Sequence, residues 1–171
     1  MIIISDTNIL GSLAAGDCIS ALCLLYARKK LVIPPAVRGE LEQGLACGHQ
    51  HLQQVFSAID ARQIRIVTLS AEEELRTFHY PSDLGDGERE AIALVQSRKG
   101  VLLSNDTDAV RYCRQQGGRV LNLPDLLRLF WVEGILSQDD VRIVIARMNE
   151  IESLVLGNRQ MTEIFAPSKT S

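Results

Sequence analysis

No stretch of this sequence stays apolar for the roughly twenty residues that a membrane-spanning helix needs. The short apolar run Met1 to Ile4 is followed at once by Asp6 and carries no basic segment, so it reads as a buried strand rather than an export signal. The expected location is the cytoplasm. Excess charge of one sign is also missing. A net charge of −3 supplies no global attraction to nucleic acid, so any such binding must use local patches. Three candidates stand out: Arg28, Lys29 and Lys30; Arg98 and Lys99; and Arg111, Arg114 and Arg119, each of which also fits a solvated helix face. The four cysteines, Cys18, Cys23, Cys47 and Cys113, form neither a C-x-x-C pair nor a disulfide ladder and are expected as reduced core residues. The three histidines, His49, His51 and His79, lie apart from the acids considered below, and His49-Gln50-His51 reads as a solvated helix start rather than a zinc half-site. A glycine-rich G-x-G-x-x-G turn is absent after the first apolar run, which argues against a dinucleotide-binding module.

What is present fits one globular domain. The 171 residues are 46% hydrophobic and 23% charged, with no internal repeat and no linker. Short apolar runs at 2–5, 31–33, 64–69, 101–104 and 119–121 have strand length without alternation, as strands buried on both faces should. Helical segments separate them. Their starts are marked by Asp17, by Pro35 in a first turn, and by capping boxes at Ser70 with Glu73 and Ser137 with Asp140. Regular alternation of strand and helix predicts five parallel strands in a doubly wound α/β sheet, because parallel neighbours require crossover helices. Residues 1–155 are expected as a single domain, with helices over about 123–155 packing on it or on a partner and 156–171 as a polar C-terminal tail.

Acids gather where such sheets bind ligands, at the carboxyl ends of the strands. Asp6 directly follows the first run, and Asp106 and Asp108 directly follow the fourth. Taken singly, each also fits a helix cap or a first-turn acid. Glu88 shares the helical stripe of Ala91, Ile92 and Val95 and so points inward, whereas Asp86 and Glu90 fall off that face. Glu40 lies at the edge of the Val37, Leu41 and Leu45 stripe. Four segments thus aim acids at one end of one sheet. Like-charged carboxylates ~4 Å apart at an effective dielectric near 20 repel by about 4 kcal/mol, so such a cluster calls for a cation or for protonation. An all-oxygen donor set favours Mg²⁺ or Mn²⁺.

These segments resemble the PIN-domain family. S-D-T-N-I-L is similar to its first motif, the Glu40 helix to its second, L-G-D-G-E-R-E-A-I-A-L-V to its third and S-N-D-T-D to its fourth, over Met1 to about Trp131. The resemblance implies a three-layer α/β/α sandwich around a central five-stranded parallel sheet. It also implies that Asp6, Glu40, Glu88, Asp106 and Asp108 are catalytic, metal-binding acids, with Asn8 and Ser104 as polar supports. One departure is that the third motif usually carries Asp where this sequence has Glu88, between Asp86 and Glu90.

The implied activity is a Mg²⁺- or Mn²⁺-dependent endoribonuclease acting on single-stranded or looped RNA by water attack on the phosphodiester, leaving a 5′-phosphate. Arg38, Arg89 and Arg111, close in sequence to the acids, are candidates for phosphate contact. Many bacterial members are toxins of toxin–antitoxin pairs, homodimeric and silenced by an antitoxin peptide. The segment G-I-L-S-Q-D-D-V-R-I-V-I-A-R-M-N-E-I resembles a less characterised subset that need not be toxins. The alternative reading is a non-catalytic module of the same fold that binds RNA or protein. A haloacid-dehalogenase-type phosphatase would need a second Asp where this sequence has Asn8.

Overall fold

The computed structural model describes residues 1–167. Its centre is a sheet of five parallel strands, β1 (Ile2–Ser5), β2 (Lys30–Ile33), β3 (Arg65–Ile66), β4 (Val101–Leu103) and β5 (Arg119–Leu121), in the order β3-β2-β1-β4-β5. Successive residues of a strand face opposite sides. Ile3, Leu31, Ile33 and Leu103 therefore enter one apolar core, while Ile4, Val32 and Leu102 enter the other. Helices cover both faces, and the expected three-layer α/β/α sandwich is what the chain forms. β3 is shorter than the predicted 64–69 run. It lies at the sheet edge with one neighbour and both of its residues exposed, so little burial extends the pairing.

The first core holds α1 (Thr7–Ala15), α2 (Ile19–Leu25), α3 (Pro35–Ala46), α4 (Gln53–Asp60), α8 (Leu123–Val132) and α9 (Gln138–Glu152). A 3-10 turn at Gln50–Leu52 joins α3 to α4. α5 (Ala71–Thr77), α6 (Asp86–Arg98) and α7 (Thr107–Gln115) follow β3 and β4, and the second core is closed chiefly by Ala91, Ile92, Leu94 and Val95 of α6 with Ala109 and Cys113 of α7. Pro35 opens α3, and the boxes at Ser70 with Glu73 and Ser137 with Asp140 close as expected. Asp17 does not cap a helix. It turns the chain between α1 and α2 at φ +57°, a left-handed conformation that Asp tolerates better than most residues, and its carboxylate pairs with Arg147 at 3.0 Å.

The C-terminal segment also differs from expectation. Instead of a polar tail, α10 (Asn158–Phe165) docks on α8, with Ile164 fully buried and its carbonyl accepting Trp131 Nε1 at 2.8 Å. The inward face of α10 is made by Met161, Ile164 and Phe165, too few among polar neighbours for the composition to look like more than a tail. Of the cysteines, Cys18, Cys23 and Cys113 are buried as expected, but Cys47, at the end of α3, is exposed. No single described helix is long and apolar enough to cross a membrane. α1 and α2 reach the length together, but they bend by 118° and most of their apolar residues lie in the core.

Candidate active site

The chain builds β1, β2 and β3 to one side, then crosses to β4 and β5 on the other. The carboxyl ends of the adjacent strands β1 and β4 are therefore the topological switch point, where a crevice opens in sheets of this class. Asp6 and Asp106 stand there. Asp6 N–H still donates to the Leu103 carbonyl at 3.0 Å, so the sheet ladder itself fixes where the first acid begins.

Both residues are helix caps. Asp6 Oδ1 accepts from Ile9 N at 2.9 Å at the start of α1, and Asp106 Oδ1 accepts from Asp108 N at 2.9 Å and Ala109 N at 2.8 Å at the start of α7. Capping and chemistry are not exclusive here, because each cap uses one oxygen. Asp6 Oδ2 is buried with no hydrogen-bond partner, and Asp106 Oδ2 makes no protein hydrogen bond among the described residues. Glu88 repeats the pattern: Oε2 turns back to accept Gly85 N at 2.9 Å, leaving Oε1 without a protein partner among the described residues.

These acids lie near enough to act on one another electrostatically. Asp6 is 1% exposed, and burial pushes its carboxyl up to about 7; the Ser104 hydroxyl beside it and the Ile9 N–H pull it down, while Glu88 and Asp106 add repulsion. Ser104 Oγ, itself buried, accepts Asp106 N at 3.2 Å and so stands between the two aspartates. Half-buried Glu88 is also pushed above the ordinary carboxyl range, first by desolvation and then by Asp106, Glu40 and Asp108.

Glu40 differs, since both its oxygens are engaged. Oε2 accepts the Thr7 hydroxyl, and Oε1 accepts Gly87 N at 3.1 Å, capping α6 from the neighbouring helix α3. Glu90 returns the arrangement, its Oε2 accepting Ala36 N at 2.9 Å in the first turn of α3. Pro34 and Gly85 precede these two helices and offer no side-chain cap, so the glutamates supply what the local sequence lacks. Asp86 is exposed to solvent and faces Arg89 at 3.8 Å. Of the three acids in the third motif, Glu88 alone is coupled to Asp106 and Asp108. Asp108 is half exposed and pairs with Arg111 at 2.5 Å.

Among the described residues, no three His, Cys, Asp or Glu side chains stand close enough to enclose a metal ion. The donor chemistry nonetheless fits a hard divalent cation: three carboxylates, each with one oxygen fixed by N–H groups and one without a protein partner, the Asp6 oxygen buried and orphaned. Asn8 is exposed on the first turn of α1 and lines a hollow of about 530 Å³ beside Glu40 and Asp106. Arg38 pairs with Glu42 at 2.9 Å on the outer face of α3, and Arg89 is tied to the Ser82 carbonyl at 3.0 Å. Arg111 instead lines, with Arg114, a second hollow that shares Asn105 and Thr107 with the first.

The structure corrects the placement of two histidines. His49 and His51 line the same hollow as Glu40 and Asp106, whereas His79 is exposed after α5. Glu152, the last residue of α9, joins them, accepting the Ser12 hydroxyl at 2.9 Å and facing His51 Nε2 at 3.6 Å. No local pattern signals this. The Ser12–Glu152 contact closes 140 residues of chain and depends on α9 packing across α1. The other basic cluster lies at the far end of the sheet, where Arg28, Lys29 and Lys30 line a hollow with Arg65 and Arg98 beside the amino ends of β1 and β2.

Comparison with curated proteins returns no match. A family model described as DUF3368, PIN domain, matches residues 2–166, which takes in all five acids, the histidine hollow and α10. PIN domains are in general nucleases that use divalent metals. With the parallel sheet, the acids at its switch point and a match spanning nearly the whole sequence, the chain belongs to the PIN-domain family.

Proposed function

We propose that the protein is a Mg²⁺- or Mn²⁺-dependent endoribonuclease acting on single-stranded or looped RNA, with Asp6, Glu88 and Asp106 as the residues that would hold the metal. The observation that carries this reading is the shared division of labour in the three carboxylates, one oxygen fixed by N–H groups and one without a protein partner. A bound divalent cation supplies Lewis-acid polarisation of the phosphate, a more acidic water and stabilisation of the leaving oxygen.

The remaining work falls to the chain. Helix caps hold Asp6 and Asp106 rigidly, so the partnerless oxygens need little reorganisation on binding. Burial of Asp6 restricts competing water. Glu40 positions α6, and thereby Glu88, through the Gly87 N–H. A partnerless carboxylate oxygen would accept the proton of the attacking water as the P–O3′ bond breaks; the 3′-oxygen leaves and takes up a proton from solvent, and the downstream fragment keeps the phosphate at its 5′ end. Arg111 and Arg114 at the rim of the adjoining hollow contact flanking phosphates, and Asp108 orients Arg111.

A toxin role, with an antitoxin partner, a homodimer and a cytoplasmic location, is the finer part of this reading. Its support is the resemblance together with the exposed apolar residues Leu24, Ile143, Ile151 and Val155, which suit a protein surface. The competing reading, a non-catalytic RNA- or protein-binding module, draws on the spacing of the acids, which encloses no metal as the described residues stand.

One experiment separates the two. Wild type and Asp6→Asn are incubated with a pool of labelled single-stranded RNAs, with Mn²⁺ and with chelator, and Mn²⁺ uptake is followed by calorimetry. Defined products from wild type alone, abolished by chelator, support the ribonuclease. Absence of both cleavage and uptake overturns it in favour of the binding module.

A further inference from the structure

The hollow between α1, the bend at 49–52 and the end of α9 is lined on one side by Glu40 and Asp106 and otherwise by residues outside the acid cluster. We infer that it is a nucleoside subsite, taking the base that flanks the phosphodiester addressed by the acids. That placement rests on the ribonuclease reading, whereas the chemistry of the hollow stands on its own lining.

Size and composition both point this way. At about 530 Å³ the hollow lies within the range of small-ligand sites. Among the described residues no lysine or arginine lines it, whereas Glu40, Asp106 and Glu152 do, so a free phosphate finds no cationic partner there. What lines it suits a heteroaromatic ring with polar edges. His49 and His51 offer imidazole faces, the amides of Asn8 and Asn105 each carry donors and an acceptor for a base edge, and Leu52 and Leu154 form an apolar wall. The adjoining hollow, which shares Asn105 and Thr107, carries Arg111 and Arg114. A strand laid across this boundary puts a base on the histidine side and backbone charge on the arginine side.

The subsite is built rather than incidental. The two imidazoles meet edge to face, with centroids 5.8 Å apart and planes at 72°. Glu152 holds the back of the hollow by accepting the Ser12 hydroxyl at 2.9 Å while facing His51. Two glycines make room for these walls. A Cβ on Gly11 would stand 3.3 Å from Glu152 Oε1, and one on Gly44 would stand 2.7 Å from Leu52 Cδ1. The same histidines do not form a zinc site with Glu152, because no three such side chains converge among the described residues.

The test uses full-length Asp6→Asn without metal, in which binding is read without cleavage. Titration with each of the four ribonucleoside 5′-monophosphates, followed by the imidazole NMR signals, is expected to move His49 and His51 and to leave the exposed His79 unmoved. Inorganic phosphate alone is expected to move none of them. In the same Asp6→Asn background, nucleotide affinity is expected to fall on His51→Ala or His49→Ala by roughly fivefold to a hundredfold, the range for one stacked base. Histidine signals unmoved by every nucleotide, moved equally by phosphate, or an unchanged nucleotide affinity in both variants overturns the inference. Wild type that cuts no RNA while a nucleotide moves His49 and His51 removes the ribonuclease reading and leaves the subsite standing.

Discussion

Glu40 and Glu90 cap one another's helices. Glu40, on α3, accepts the Gly87 N–H in the first turn of α6, and Glu90, on α6, accepts the Ala36 N–H in the first turn of α3. Neither N-cap residue, Pro34 or Gly85, supplies a side-chain cap, and each positive helix end receives a carboxylate from the other helix. The two helices are thereby locked in register, and Glu88 is carried on one of them.

Removing either cap should cost about 1 kcal/mol of stability, the usual worth of a helix cap. The two variants should differ in function. Glu40→Ala frees both Thr7 and the start of α6, so RNA cleavage should fall further than in Glu90→Ala, whose loss is felt at α3. Urea unfolding and cleavage rates on the same preparations check both halves, and a larger activity loss in Glu90→Ala would contradict the assignment.

Gly87→Ala gives a prediction of unusual sign. Alanine for a helical glycine ordinarily stabilises by up to about 1 kcal/mol. Here the new Cβ would stand 2.8 Å from both Glu40 oxygens, which are held in place by Thr7 and Gly87 itself. The variant is expected to lose about 1 kcal/mol instead, and cleavage should drop roughly tenfold, as for a ~1.4 kcal/mol rise in barrier. A stabilised, fully active variant would show that the Glu40 carboxylate moves aside freely.

The metal-free protein should lose stability as pH rises from about 4 to about 7. Asp6 has its folded value raised from 3.8 to about 7 by burial, so over that interval the folded state keeps a proton that the unfolded chain has released. The contribution is present below the unfolded value and is gone above the folded one, a change of at most a few kilocalories per mole. Asp6→Asn, which can keep the cap to Ile9, should flatten that slope. Unfolding curves across the range in chelator decide it, and identical slopes would place the proton elsewhere.

Glu73 has the opposite sign. Arg98 donates to it at 2.8 and 2.9 Å, and with Ser97 and the Ser70 N–H it holds the carboxyl down to about 2. Its stabilising effect is complete above pH 4.5 and is lost as pH falls toward 2. Arg98→Ala leaves the buried Glu73 without its cation and should cost roughly 2 kcal/mol at neutral pH, less than a fully buried pair because Arg98 is one-third exposed. That penalty should shrink steadily as the solution is acidified, and a pH-independent penalty would assign it to packing of the arginine stem.

Much of this molecule was legible before folding. Five strand-length apolar runs, the caps at Ser70 and Ser137 and the acids after β1 and β4 depend on residues within a few positions of one another, so periodicity and capping chemistry reach them. Asp17 stands one residue ahead of Cys18, the N-cap of α2, and a capping residue type before an apolar run is only a local cue. The apparent polar tail hid α10, whose burial depends on a surface that α8 provides only in the folded state.

The sequence by itself determined the parallel α/β order, the two cores and the delivery of Asp6, Glu88 and Asp106 toward one crevice, because strand alternation and caps are short-range. Only the tertiary structure decided which carboxylate oxygens are left without partners, that Glu40 caps α6, and that His49, His51 and Glu152 wall a hollow beside the acids. The Glu40 cap on α6 and the Ser12–Glu152 contact behind the hollow join groups 47 and 140 residues apart. Their geometry exists only once α3, α6 and α9 have packed, when burial removes the water that would otherwise satisfy the same polar atoms.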